Sequence, residues 1–90
     1  MPRKRRPSKQ MRRLIAALDA RPRAWRHGYD LMKETGLSSG TLYPILMRMT
    51  EHALVEAEWR NPAQRGRPPR HAYRLTAKGI AFAKSIASEG

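Results

Sequence analysis

The sequence predicts a mainly α-helical domain carrying one small two-stranded β-hairpin. Three observations support this. Apolar residues recur at i, i+3, i+4 and i+7 in two stretches, Met11-Leu14-Ile15-Leu18 and Leu42-Ile45-Leu46-Met49, the period of a one-sided helix. Two short runs, Leu54–Trp59 and His71–Leu75, alternate in the manner of half-buried strands. Between them lies Asn61–Arg70, too rich in proline, glycine and arginine for regular structure. At 90 residues the chain makes one domain with a modest core. The reading divides it into a basic arm, residues 1–7, and a folded unit, residues 8–90.

Taken in order, Met1–Pro7 has nothing apolar to bury, and two prolines bracket Arg3, Lys4, Arg5 and Arg6. Ser8 is placed to cap a first helix, which Pro22 ends near Arg21. Arg23–His27, with Trp25, reads as a connector. A second helix spans about Gly28 to Thr35, turns Leu31 and Met32 inward and stops at Gly36, where a left-handed conformation is favoured. Leu37 is the apolar residue of the turn, and Ser38 or Ser39 caps a third helix running to about His52. Pro44 is awkward inside that helix, because its ring approaches the carbonyl four residues back. That residue is Gly40, and a helix starting at Gly40 or Thr41 would place Pro44 in its first turn. Val55, Ala57 and Trp59 share one face of the first strand, and Glu56 and Glu58 the other. Thr76 caps a last helix, Ala77 to about Ser88, with Ile80, Ala83, Ile86 and Ala87 on its apolar side. Gly79 weakens it somewhat.

Charge narrows the function. The formal net charge is +12, a surplus that calls for a polyanion or an anionic surface. It is unevenly placed: residues 1–13 carry seven Lys/Arg, residues 60–74 carry five, and neither stretch holds an acid. No apolar run approaches the ~20 residues of a membrane span, and the basic N-terminus lacks a signal peptide's apolar segment. A cytoplasmic protein without a membrane partner is expected. There is no cysteine, and His27, His52 and His71 lack companions at ligand spacing. Neither a metal nor a cofactor is expected. Serine is the one nucleophile type in view, with no base at a readable spacing, no Gly-x-Ser-x-Gly and no glycine-rich phosphate loop. The chain does not read as an enzyme.

Two helices joined through Gly36, the second opening Ser38-Ser39-Gly40-Thr41, suit a helix laid in the major groove of duplex DNA. Followed directly by a hairpin tipped Arg65-Gly66-Arg67-Pro68-Pro69-Arg70, they describe a winged helix-turn-helix. Glycine admits close backbone approach, and Arg65, Arg67 and Arg70 suit phosphates or a narrow minor groove. The expected contacts are Ser38, Ser39, Gly40, Thr41, Tyr43 and Arg48 on the reading helix and Arg65, Gly66, Arg67 and Arg70 on the wing. Arg26, His27 and Tyr29 at the start of the second helix, with Arg3, Lys4, Arg5 and Arg6 of the arm, complete the set. Tyr43 reads equally as a contact to phosphate or base and as a ring partly buried on its own helix. Trp25 and Trp59 read as core or interface aromatics, or as a site for a flat ligand.

His27-Gly-Tyr-Asp-Leu31, Thr35-Gly-Leu37, Ser39-Gly-Thr-Leu-Tyr-Pro-Ile-Leu46, Gly66-Arg-Pro-Pro-Arg70 and Tyr73-Arg-Leu-Thr-Ala-Lys-Gly79 together resemble the PadR family of bacterial transcriptional regulators, over roughly residues 8–83. The resemblance implies a winged-helix protein, commonly a repressor, that binds inverted repeats as a dimer. It places Ser39, Gly40, Thr41 and Tyr43 in the reading helix and Arg65, Gly66, Arg67 and Arg70 in the wing. Family members usually continue into long helices that form the dimer and, in some, an effector pocket. This sequence stops at Gly90. A homodimer through the first and last helices is therefore expected, and a small-molecule effector is not. Two other readings stay open: an architectural or accessory DNA protein of a mobile element, and a basic RNA-binding protein.

Overall fold

Leu14, Leu18, Leu31, Leu42, Leu46 and Met49 are each less than 2% exposed and belong to a single core. They come from three helices, which is why the apolar stripes are one-sided. The computed structural model describes residues 8–60 and 70–88, with the backbone alone for Arg60 and Arg70. The expected arm at residues 1–7 and the tip of the hairpin lie outside the described residues.

Helix α1 is Lys9–Asp19, and the Met11 amide donates to the Ser8 hydroxyl at 3.1 Å. Strand β1 is Arg26–His27, helix α2 Gly28–Thr35 and helix α3 Ser39–Glu51. Strands β2, Val55–Arg60, and β3, Arg70–Leu75, precede helix α4, Ala77–Ser88. The fold class matches the reading, and the sheet gains a third strand, in the order β1-β3-β2 with both pairings antiparallel. Arg26 pairs with Tyr73 and His27 with Ala72. These two residues read as connector because a two-residue strand shows no alternation. It forms because β3 has a free edge beside it.

The turn between α2 and α3 is tied from several sides. Gly36 has φ +74° and donates its amide to the Met32 carbonyl at 2.8 Å, the left-handed stop that glycine adopts without strain. The buried Thr35 hydroxyl donates to the Leu31 carbonyl at 2.6 Å and accepts the Leu37 amide at 3.2 Å. Arg13 of α1 donates to the Thr35 carbonyl at 3.2 Å, satisfying an acceptor at the end of α2.

Three local expectations are corrected. Helix α3 starts at Ser39, so Pro44 stands beyond its first turn, inside the helix. The carbonyl it crowds belongs to Gly40, which is exposed and has no other atom within 4 Å of where a Cβ would be. Trp59 is 64% exposed and so is not a core aromatic; it stacks instead on His71, ring centroids 3.8 Å apart. Gly79 is not a mere weak point in α4: a Cβ there would lie 1.9 Å from the Leu54 carbonyl oxygen. The glycine lets α4 start directly against the chain leaving α3. At the same junction the Thr76 hydroxyl donates to the Ala53 carbonyl at 2.6 Å and accepts the Gly79 amide at 3.0 Å.

Replacing Gly79 with Ala forces backbone apart and should destabilise the domain by about 2 kcal/mol or more. Urea unfolding followed by circular dichroism measures this, and a change within ~0.5 kcal/mol, the scale of an ordinary surface substitution, would contradict the close packing.

Candidate nucleic-acid interface

Burying Leu42, Ile45, Leu46 and Met49 turns the other side of α3 to solvent. Gly40, Tyr43, Pro44, Met47, Arg48 and Glu51 are all exposed, Met47 to 64% and Tyr43 to 42%. Ser38 occupies the N-cap position without a side-chain cap bond. Its hydroxyl donates to Thr41 Oγ1 at 3.3 Å instead, so Ser38, Ser39 and Thr41 form a small hydroxyl cluster at an otherwise bare helix start. Gly40 lies among them with open space above it, so the surrounding packing does not require a glycine there. The partial positive charge of the helix N-terminus points the same way.

Tyr43 joins three elements. A Cβ on Gly28 would lie 2.3 Å from its hydroxyl oxygen, so the ring lies over the first residue of α2. Burial first, and the Tyr43 phenol second, push the Tyr73 hydroxyl above its ordinary value of 10.0. Tyr43 therefore bridges α3, the start of α2 and the middle of β3 while keeping part of its ring in solvent. Partial burial of the ring against the fold is thus borne out, with 42% of the residue left exposed.

The start of α2 is less open than its sequence suggests. Arg26 is 5% exposed, donates to the Ala17 carbonyl at 3.0 Å and forms an ion pair with Glu34. The expected phosphate contact from Arg26 is thus corrected: its guanidinium ties α1 to α2 inside the fold. His27 is half-buried, its Nδ1 3.8 Å from Asp30 Oδ2. Tyr29 is 59% exposed, with the Lys33 ammonium 5.4 Å from its ring centroid.

The hairpin leaves the core immediately after α3, and its outermost described pair sets Arg60 opposite Arg70. Arg65, Gly66 and Arg67 lie outside the described residues. Arg74, lower on β3, is occupied: Nε and Nη2 each reach Glu56 Oε1 at 2.7 Å, and the guanidinium carbon stands 4.3 Å from the Trp25 ring centroid. Trp25 thereby packs the connector onto the sheet. Two features escaped the residue reading. Met47, which the periodicity places off the apolar stripe of α3, was given no role among the expected contacts. The exposed Trp59–His71 stack follows from cross-strand register, which the sequence does not reveal. Among the described residues no group of His, Cys, Asp and Glu is arranged to hold a metal ion, and no helix is long and apolar enough to cross a membrane.

A hydroxyl-lined, solvent-facing helix beside a basic hairpin agrees with the family comparison, in which the model of the transcriptional regulator PadR-like family matches residues 14–85. The chain belongs to the PadR-like family of transcriptional regulators. It is similar to a PadR-like transcription factor from Bacteroides fragilis, at 28% identity and TM-score 0.72 over 88% of this chain and 77% of that one. A PadR family regulator from Clostridium difficile shares the fold, at 24% identity and TM-score 0.77 over 91% and 86%. NadR, solved in complex with 4-hydroxyphenylacetate, matches at 26% identity and TM-score 0.74, over 91% of this chain but 54% of its own. Comparison with the curated proteins finds no match. PadR-like proteins are transcriptional regulators.

The Tyr73 environment is testable by titration. Its neutral phenol is favoured in the folded state, so it contributes stability that is intact below pH 10 and is lost as pH rises through the higher folded value. Ultraviolet absorbance should show a tyrosine ionising above the usual range, and Tyr73→Phe should remove that step. Retention of the step in the variant would contradict this assignment.

Proposed function

We propose that the chain is a sequence-specific double-stranded DNA-binding repressor of transcription that occupies its operator as a homodimer. The observation that carries this reading is the outward side of α3. Ser38, Ser39, Gly40, Thr41 and Tyr43 stand at a helix start held rigidly by the core, and Gly40 is left with free space above it. An exposed helical glycine costs up to ~1 kcal/mol relative to alanine. A surface that must approach base edges closely gives a reason to retain it. Arg48 sits one turn and more further along and takes the flanking backbone.

In this proposal the wing, with Arg65, Gly66, Arg67 and Arg70, holds the neighbouring phosphates or minor groove. Arg3, Lys4, Arg5 and Arg6 add phosphate contacts, while His27 and Tyr29 line the start of α2. Phosphate contacts fix register and base contacts carry sequence. The dimer forms through α1 and α4, where Met11, Phe82 and Ile86 remain only partly covered by the core. The protein acts in the cytoplasm on the nucleoid, and its DNA binding requires no effector. The acids and bases lining the depression between Arg21, Trp25, Asp30 and Lys33 include Glu34, whose carboxylate is committed to Arg26.

Selection of bound duplexes from a random pool should recover an inverted repeat, and a reporter driven from it should fall when the protein is expressed. Arg67→Ala should weaken selected and random duplexes alike and lower the log–log salt slope by about 0.9. Thr41→Ala should instead erode the preference between them. Gly40→Ala should raise helix stability by up to ~1 kcal/mol while weakening binding to the selected duplex. Equal losses on selected and random DNA for both Arg67→Ala and Thr41→Ala would contradict the division of roles.

A further inference from the structure

The outward side of α3 has an apolar stripe of its own. Gly40, Tyr43, Pro44 and Met47 recur at i, i+3, i+4 and i+7, the period that places residues on one helical face. This is the spacing of the buried stripe, carried on the opposite side. All four residues are exposed, and Met47, at 64%, is as exposed as any large apolar residue described. Beside Met47 stands the cation Arg48, and Glu51 lies one turn beyond. Both are exposed. The helix itself is not free to turn this stripe inward, because Leu42, Leu46 and Met49 are each 1% exposed or less.

A phosphate-contacting surface uses cations and amide donors, and Met47 and Pro44 are neither. The major groove offers one apolar group at its base edges, the 5-methyl of thymine. A methionine side chain is long, unbranched and adaptable, and can lie against such a methyl without a fixed hydrogen-bond geometry. On the footing of the proposed DNA-binding role, we infer that Met47 is a specificity-determining residue that selects thymine in the operator through its 5-methyl group. The hydroxyl cluster at the start of α3 and Met47 near its end then read different positions of one half-site. Arg48, next in sequence but turned about 100° around the helix, reaches the flanking backbone.

The test uses the full chain and the duplex recovered by selection. That duplex is synthesised with each thymine replaced singly by uracil, which lacks only the methyl. At one or two positions per half-site the wild type should lose roughly fourfold in affinity, the scale of one buried methyl. Met47→Ala should bind the thymine duplex more weakly by a similar factor and show no further loss with uracil at those positions. Met47→Leu should retain the thymine preference. Because the side chain is exposed, these variants should fold as the wild type does, which circular dichroism checks. A wild type indifferent to uracil everywhere, or a Met47→Ala protein that keeps the full uracil penalty, overturns the inference and leaves the DNA-binding role intact. A Met47→Ala protein whose sedimentation shifts while its uracil profile stays that of the wild type overturns it in favour of a protein contact. Failure to recover any preferred duplex overturns the proposed function and this inference together.

Discussion

The burial of one side of α3 is the constraint on which the rest depends. Leu42, Ile45, Leu46 and Met49 are all in the core with Leu14, Leu18 and Leu31. Each such side chain contributes roughly 1.5–3 kcal/mol when fully buried, so rotating α3 away from this arrangement would lose several contributions at once. With 3.6 residues per turn, holding that side inward forces Gly40, Tyr43, Pro44 and Met47 outward. The core therefore aims the candidate reading surface as well as stabilising the domain. The same packing explains why Pro44 is tolerated within the helix: the carbonyl it disturbs lies at exposed Gly40, away from the buried side.

Around this core, arginines act as internal ties. Arg13 satisfies the carbonyl of Thr35 at the end of α2, Arg26 bridges Ala17 and Glu34, and Arg74 lies between Glu56 and Trp25. Such charged hydrogen bonds are stronger than neutral ones, and breaking a buried pair leaves the remaining group uncompensated. The consequence for function is a division among the basic residues. Those committed to internal acceptors hold the helices and the sheet in register. A net charge of +12 thus overstates the number of cations free to meet a phosphate.

Much of the architecture was legible because its signals are local. Ser8, Gly36 and Thr76 mark helix ends through chemistry that involves neighbours a few residues away, and α2 and α4 begin and end where those signals put them. The two apolar stripes identified the core sides of α1 and α3 directly. Strand β1 was not legible: two residues carry no period, and their pairing depends on β3, more than 40 residues later in the chain. Arg26 was misjudged for a related reason, since both its partners lie in other elements. Gly79 was read through helix propensity alone, whereas the carbonyl of Leu54 is what makes glycine necessary. Trp59 fits an apolar strand face, yet the hairpin carries it 64% exposed.

The sequence by itself determined the helices, the hairpin, the family and the composition of α3, because periodicity, caps and short motifs act over a few residues. Only the tertiary structure decided which side chains remain available. Burial and ion pairing depend on partners distant in the chain. Those long-range contacts turned Arg26 inward, paired Arg74 with Glu56 across the sheet, laid Tyr43 over Gly28 and left Met47 in solvent.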